Sequence, residues 1–176
     1  MFSRSHDGRL KRLAQKLEQT AELDRARERR EEEVLALRRQ AAGELHELCA
    51  NFVASINKLV ATVHLDLAPS AWETQALKCN EVNLIQINAS GRIIQLSFQV
   101  TDALEERLDI RTPYTLHGSV RWFNQELLDR DDVREEKLYY CTGKNDPGWR
   151  FVEARSQKMG AVDEDYLASL IEQLLP

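Results

Sequence analysis

Glycine and proline are scarce in this chain, with seven and four among 176 residues. The glycines are scattered, and no GxGxxG or GxxxxGKS/T run is present. A backbone cradle for phosphate of the dinucleotide or P-loop kind is therefore missing. There is no Gly-x-Ser-x-Gly elbow to expose a nucleophilic serine. Cysteine is equally sparse: Cys49, Cys79 and Cys141 form no CxxC pair and have no histidine at zinc-ligand spacing. This pattern predicts reduced thiols, no metal centre, no cofactor and a cytoplasmic location. The first nine residues lack the apolar core of a signal peptide. No apolar run approaches the roughly 20 residues that span a bilayer.

Charge is abundant but unevenly divided. Residues 1–44 hold 11 Lys/Arg and 9 Asp/Glu, a net of +2, which leaves −7 for the remainder of a chain whose total is −5. Phosphate contacts need clustered Lys/Arg, so the acidic remainder argues against nucleic acid as its ligand.

The N-terminal third reads as one long helix. Asp7 is placed to cap it, and Leu10, Leu13 and Leu17 follow at helical spacing. From Glu18 to Glu33 the only apolar residues are Ala21, Leu23 and Ala26. That stretch has good helix formers, with Arg27–Glu31 and Arg29–Glu33 four residues apart. It has little to bury, as expected of a helix that is solvated, bridging or only partly formed. The seam returns at Val34, Leu37, Ala41, Leu45, Leu48, Phe52, Ile56, Leu59 and Val63. Beyond Ala50 it broadens with Val53, Val60 and Ala61, the width suited to packing on a sheet. The division falls at Gly43, a candidate bend: residues 1–43 form a charged helical stalk and 44–176 an α+β head. The helix is expected to stop before Pro69.

Short β-rich runs follow. Val82–Asn88 and Arg92–Val100 flank a turn-rich quartet and predict a hairpin. Ile94, Leu96, Phe98 and Val100 alternate with Gln95, Ser97 and Gln99, which predicts one buried face and one wetter face. Tyr114–Trp122 reads as a third strand, residues 124–130 as a short helical insert, and Lys137–Thr142 with Trp149–Ala154 as a second hairpin. Asp163 is placed to cap a final helix whose apolar face is Leu167, Leu170, Ile171, Leu174 and Leu175. The expected fold is α+β: a five-stranded antiparallel sheet packed by two helices, with a long charged N-terminal extension as a candidate coiled coil.

Candidate chemistry is limited. Cys49 and His46 stand three apart on one helix, where any two residues are neighbours, and Cys49 adjoins the apolar stripe as a small hydrophobe would. Asp129, Asp131, Asp132, Glu135 and Glu136 could face a hard cation, but without the glycine and glutamate register of an EF-hand. The clustered aromatics Trp122, Phe123, Tyr139, Tyr140, Trp149 and Phe151 alternate as core residues do and lack the spacing of an RNA-binding platform. His117 and Arg121 share one face of their strand; with Arg150 nearby they would form a candidate anion- or carboxylate-binding patch. The basic N-terminal residues Arg4, Arg9, Lys11, Arg12 and Lys16, interleaved with leucine, make a small basic amphipathic helix, read as a solvated helix end or as a partner-docking segment.

The order helix, three strands, helix, two strands, helix resembles that of type III secretion effector chaperones, which are also small, acidic and dimeric. The resemblance lies in element order, and the long stalk falls outside it. It implies a dimeric binding protein. A small-ligand-binding or hydrolytic domain built on His117 is the alternative of a different class. The expectation from the residues themselves is a non-catalytic interaction or scaffold component, not an enzyme. It would assemble with itself or with a larger protein partner through Leu10, Leu13, Leu17, Val34 and Leu37.

Overall fold

The structure, a computed structural model, describes residues 3–101, 112–125, 133–143 and 147–176, with side chains from residue 8 onward. Helix α1 spans Ser3–Leu59. Seven strands follow: β1 (Leu65–Ala68), β2 (Asn83–Ala89), β3 (Arg92–Val100), β4 (Tyr114–Asn124), β5 (Arg134–Cys141), β6 (Gly148–Val152) and β7 (Met159–Ala161). Helix α2 (Glu164–Glu172) ends the chain. Two units are distinguished, Met1–Leu37 and Arg38–Pro176.

In the first unit α1 is charged almost throughout, and its ion pair Arg27–Glu31 closes at 3.0 Å on the helix surface. Such exposed pairs contribute only a few tenths of a kcal/mol. Helix propensity carries most of this segment.

In the second unit the sheet is a single antiparallel meander in chain order, β1 to β7. The expected five strands are therefore seven. The apolar stripe continues through Val60 and Val63 and so points to helix where β1 lies. The structure ends α1 at Leu59 instead, leaving Val60 and Val63 exposed. A side chain enforces the reversal: Asn57 Nδ2 donates to the Leu65 carbonyl at 2.9 Å, and Leu65 N donates to Asn57 Oδ1 at 2.8 Å. β7 has three residues, too few to display a period. β1 and β7 also alter the element order on which the chaperone resemblance stood. The expected helical insert at 124–130 begins on the last residue of β4, and residues 126–132 lie outside the described residues.

The β2–β3 hairpin closes through Ser90 and Gly91, both at positive φ (54° and 86°). This is the twist a two-residue hairpin demands, and glycine supplies it without strain. Asn88 Oδ1 accepts from Gly91 N at 2.8 Å and holds the turn.

One face of the sheet carries Ile85, Ile87, Ile94, Leu96, Phe98, Leu116, Val120, Leu138 and Tyr140, all buried. Both helices cover that face. Ala41, Ala42, Leu45, Cys49, Phe52 and Val53 of α1 are buried, as are Tyr166, Leu167 and Leu170 of α2. Asp163 caps α2 as expected, accepting from Tyr166 N at 2.8 Å. α1 continues through Gly43 without a break. Of the clustered aromatics, Trp122, Phe123, Tyr139, Tyr140 and Trp149 are buried and Phe151 is half-buried; Phe98 lies 5.3 Å and Tyr140 5.5 Å from Trp149, both edge to face.

Gly118 lies tight against the backbone of β3. A Cβ there would lie 1.8 Å from the Ser97 carbonyl oxygen, so no other residue fits. Phe151 stacks on Tyr166 at 4.0 Å, and its ring occupies the space a Gly160 side chain would need.

Candidate functional site

Pairing register decides which residues of the wetter face can act together. His117 on β4 is opposite Gln99 on β3 and Tyr139 on β5, and Tyr139 is opposite Arg150 on β6. Partners across an antiparallel pair point to the same face. Gln99, His117, Tyr139 and Arg150 thus form one row. Arg121 belongs to another row, Gln86–Gln95–Arg121–Glu135. It lies four residues along β4 from the His117 row and two strands from β6. With about 4.8 Å between strands and about 3.3 Å per residue, Arg121 and Arg150 are separated by about 16 Å. The register brings His117 and Arg150 to either side of Tyr139 and does not bring Arg121 to Arg150.

The row is held by specific contacts. Gln99 Nε2 meets His117 Nε2 at 2.9 Å, so the amide donates and the imidazole nitrogen accepts. The Tyr139 ring lies 4.9 Å from that of Tyr114, which in turn lies 6.2 Å from His117. His117, Tyr139 and Arg150 all have further partners. Tyr114, Tyr139, Cys141 and Val152 make a small buried cluster. Parallel rungs stabilise the rest of the face: Gln95 Nε2 donates to Gln86 Oε1 at 2.9 Å, and the Ser97 and Ser119 hydroxyls meet at 3.2 Å. These are the cross-strand pairs that hold a half-wet sheet face together.

The helix pair His46 and Cys49 divides rather than cooperates. His46 Nε2 bonds the Pro69 carbonyl at 2.7 Å, and its ring lies 5.8 Å from Trp72. Cys49 is fully buried, and burial pushes its thiol up to about 12. A thiol held so far above its ordinary range is a packing group, not a nucleophile. Asp129, Asp131 and Asp132 lie outside the described residues. Glu135 is exposed, and Glu136 accepts from Tyr166 Oη at 2.7 Å. Among the described residues no cluster of His, Cys, Asp or Glu could hold a metal ion.

A pocket of about 520 Å³ beside the C-terminal end of α2 had no sequence signature. Trp122, Arg134, Glu136, Glu153, Arg155 and Gln173 line it. Gln173 Oε1 accepts from Trp122 Nε1 at 3.2 Å and from Arg134 Nη1 at 2.9 Å. Glu136 and burial together raise Tyr166 above the ordinary phenol range, burial being the larger cause. The pocket combines strands far apart in sequence with a helix end, so no local pattern could announce it. Its described lining offers carboxylates and guanidinium groups without a histidine, cysteine or serine.

The expected partner-binding residues lie on α1. Leu10, Leu13 and Leu17 are 50%, 52% and 62% exposed, and Leu23 is 71% exposed. Val34 and Leu37 are half-buried. No helix among the described residues is long and apolar enough to cross a membrane. Comparison with protein-family models, curated proteins and solved structures finds no match to this chain.

Proposed function

We propose that the chain is a non-catalytic interaction protein that assembles, with itself or with a larger protein partner, through α1. The observation that carries this reading is the exposure of Leu10, Leu13 and Leu17 on one side of an ordered helix. Leucines three and four residues apart stack on one helical face. Fully burying one such side chain is favourable by about 1.5–3 kcal/mol. A second helix laid along that face would realise this energy. The sheet face around His117 supports the reading from the other side, since Gln86 and Gln95, Ser97 and Ser119, and Gln99 and His117 Nε2 are engaged with each other in cross-strand rungs.

The test is light scattering after size exclusion on the full chain and on the triple variant L10Q/L13Q/L17Q. These positions are exposed, so the variant should keep the wild-type circular dichroism and melting temperature. An oligomer that the triple variant disperses supports assembly through α1. An oligomer of unchanged size moves the interface elsewhere and overturns the reading.

A further inference from the structure

We infer that the groove at the C-terminal end of α2 binds an extended peptide segment of another protein, one that carries both a basic and an acidic side chain. The basic side chain enters between Glu136 and Glu153, and the acidic one meets Arg134. This goes beyond assembly through α1, because every residue involved belongs to the Arg38–Pro176 unit.

Shape selects an extended chain. The cavity of about 520 Å³ adjoins two more, of about 340 Å³ and about 300 Å³, and Gln173 lines all three. Their lining runs from Arg92 on β3 to Gly160 on β7. Those strands are four steps apart in the sheet, about 19 Å at about 4.8 Å per step. A compact metabolite would leave most of that length empty. A peptide of about six residues, at about 3.3 Å each, fills it.

Charge selects the sequence. β5 and β6 pair Lys137 with Val152, so Glu136 and Glu153 come next in register and stand side by side. Both line the two larger cavities. Each is held through one oxygen: Tyr166 Oη donates to Glu136 Oε2 at 2.7 Å, and Ser156 Oγ donates to Glu153 Oε2. Among the described residues no ion pair reaches either carboxylate. Like charges so placed repel. A guanidinium or ammonium group between them removes the repulsion and donates to both.

Arg134 lines the central cavity and the one that Arg92 borders. Its Nη1 donates to Gln173 Oε1 at 2.9 Å, and Trp122 Nε1 donates to the same oxygen at 3.2 Å. Two donors on Oε1 fix the amide, which leaves Gln173 Nε2 to donate to a peptide carbonyl. The other N–H groups of Arg134 suit a carboxylate. Arg155 and Lys158, both exposed, add cations at the rim. A polyanion such as nucleic acid is therefore repelled at Glu136 and Glu153, and a polycation at Arg134. A peptide of mixed charge avoids both repulsions.

The test titrates the full chain into fluorescein-labelled hexapeptide pools, random except for two fixed residues one position apart. The fixed pair is Arg and Asp in either order, two Arg, two Asp or two Leu. Anisotropy should show the mixed pools binding at least about tenfold more tightly than the Leu pool. The Trp122 indole N–H resonance should shift during the titration, because it donates to Gln173. E136Q and E153Q should each weaken binding about tenfold, one charge-assisted hydrogen bond being lost. E153R, at an exposed position, should move the preference to the two-Asp pool. Melting curves equal to wild type confirm folding, and the Glu153 variants decide the matter if E136Q melts early. L10Q/L13Q/L17Q should bind the pools as wild type does, which separates failure of this site from failure of assembly through α1.

Equal binding of all pools, or no binding at millimolar peptide, overturns the inference. So does affinity unchanged by E153Q and E153R. A two-Arg pool that binds as tightly as the mixed pools overturns the role of Arg134. Free arginine that competes as well as the mixed pools makes the groove a small-molecule site and overturns the peptide.

Discussion

Trp149 and Ala41 are 108 residues apart, yet the Trp149 indole Nε1 donates to the Ala41 backbone carbonyl at 2.7 Å in a buried site. The bond ties β6 to α1 within the second unit. It lies where Ala41 and Ala42 are completely buried, small enough for the helix to lie close to the strand. Trp149→Phe removes the donor and part of the ring packed against Phe98 and Tyr140. The expected cost is about 2 kcal/mol, a lost buried hydrogen bond plus a small cavity. Urea unfolding followed by far-UV circular dichroism checks it. A loss below about 0.5 kcal/mol would show that the contact contributes little.

Gly43 and Gly118 make a pair of opposite predictions. At Gly43 an added Cβ meets nothing within 4 Å, and the residue is inside α1. Gly43→Ala should stabilise by about 0.5–1 kcal/mol through helix propensity. At Gly118 the added Cβ would collide with the β3 backbone at Ser97. Gly118→Ala should therefore destabilise by more than about 3 kcal/mol or leave the protein in inclusion bodies. Thermal melts of the two variants side by side decide the signs. Equal effects at both sites would refute the close-approach argument.

The alternation in β3 made its two faces legible from residues alone, and Asp163 marked the start of α2 through the chemistry of its carboxylate. β1 and β7 were not legible, because four and three residues cannot display a two-residue period. The stripe through Val60 and Val63 pointed to more helix, since periodicity records apolar spacing but not the Asn57 side chain that turns the chain. The sheet-face candidates show a different limit. His117, Arg121 and Arg150 were readable as polar positions. Whether they meet depends on register, and register places Arg121 away from Arg150. The pocket at the end of α2 needs β4, β5, the segment after β6 and the helix end together, which only the tertiary fold supplies.

The Asn57 clamp leads to a local prediction. Asn57→Ala removes both bonds to Leu65 and leaves a backbone amide and carbonyl in search of partners. A stability loss of about 1–2 kcal/mol is expected. The sharper readout is amide exchange. β1 lies at the sheet edge and is short, so Leu65–Ala68 should exchange faster while β4 and β5 stay protected. Uniform acceleration across the sheet would mean that the clamp supports the whole unit rather than its edge.

Cys49 makes the stability of the chain fall at alkaline pH. Its thiol lies at about 12 in the folded protein against 9.0 for the free group, because burial penalises the thiolate. Between those values the folded chain keeps a proton that the unfolded chain releases. Stability is therefore fully present below pH 9.0 and falls as pH rises toward about 12. One such group contributes a slope of at most about 1.4 kcal/mol per pH unit. Tyr166 and Tyr140, both raised by burial and by Glu136 and Glu44 respectively, add to the decline at higher pH. Cys49→Ala should cost about 1 kcal/mol near neutrality and flatten the slope between pH 9 and 10.5. Urea midpoints at half-unit pH steps provide the comparison. The same burial predicts that in the native protein a thiol reagent at pH 8 modifies the exposed Cys79 and spares Cys49. An alkaline slope identical in wild type and Cys49→Ala would assign the loss of stability to the tyrosines instead.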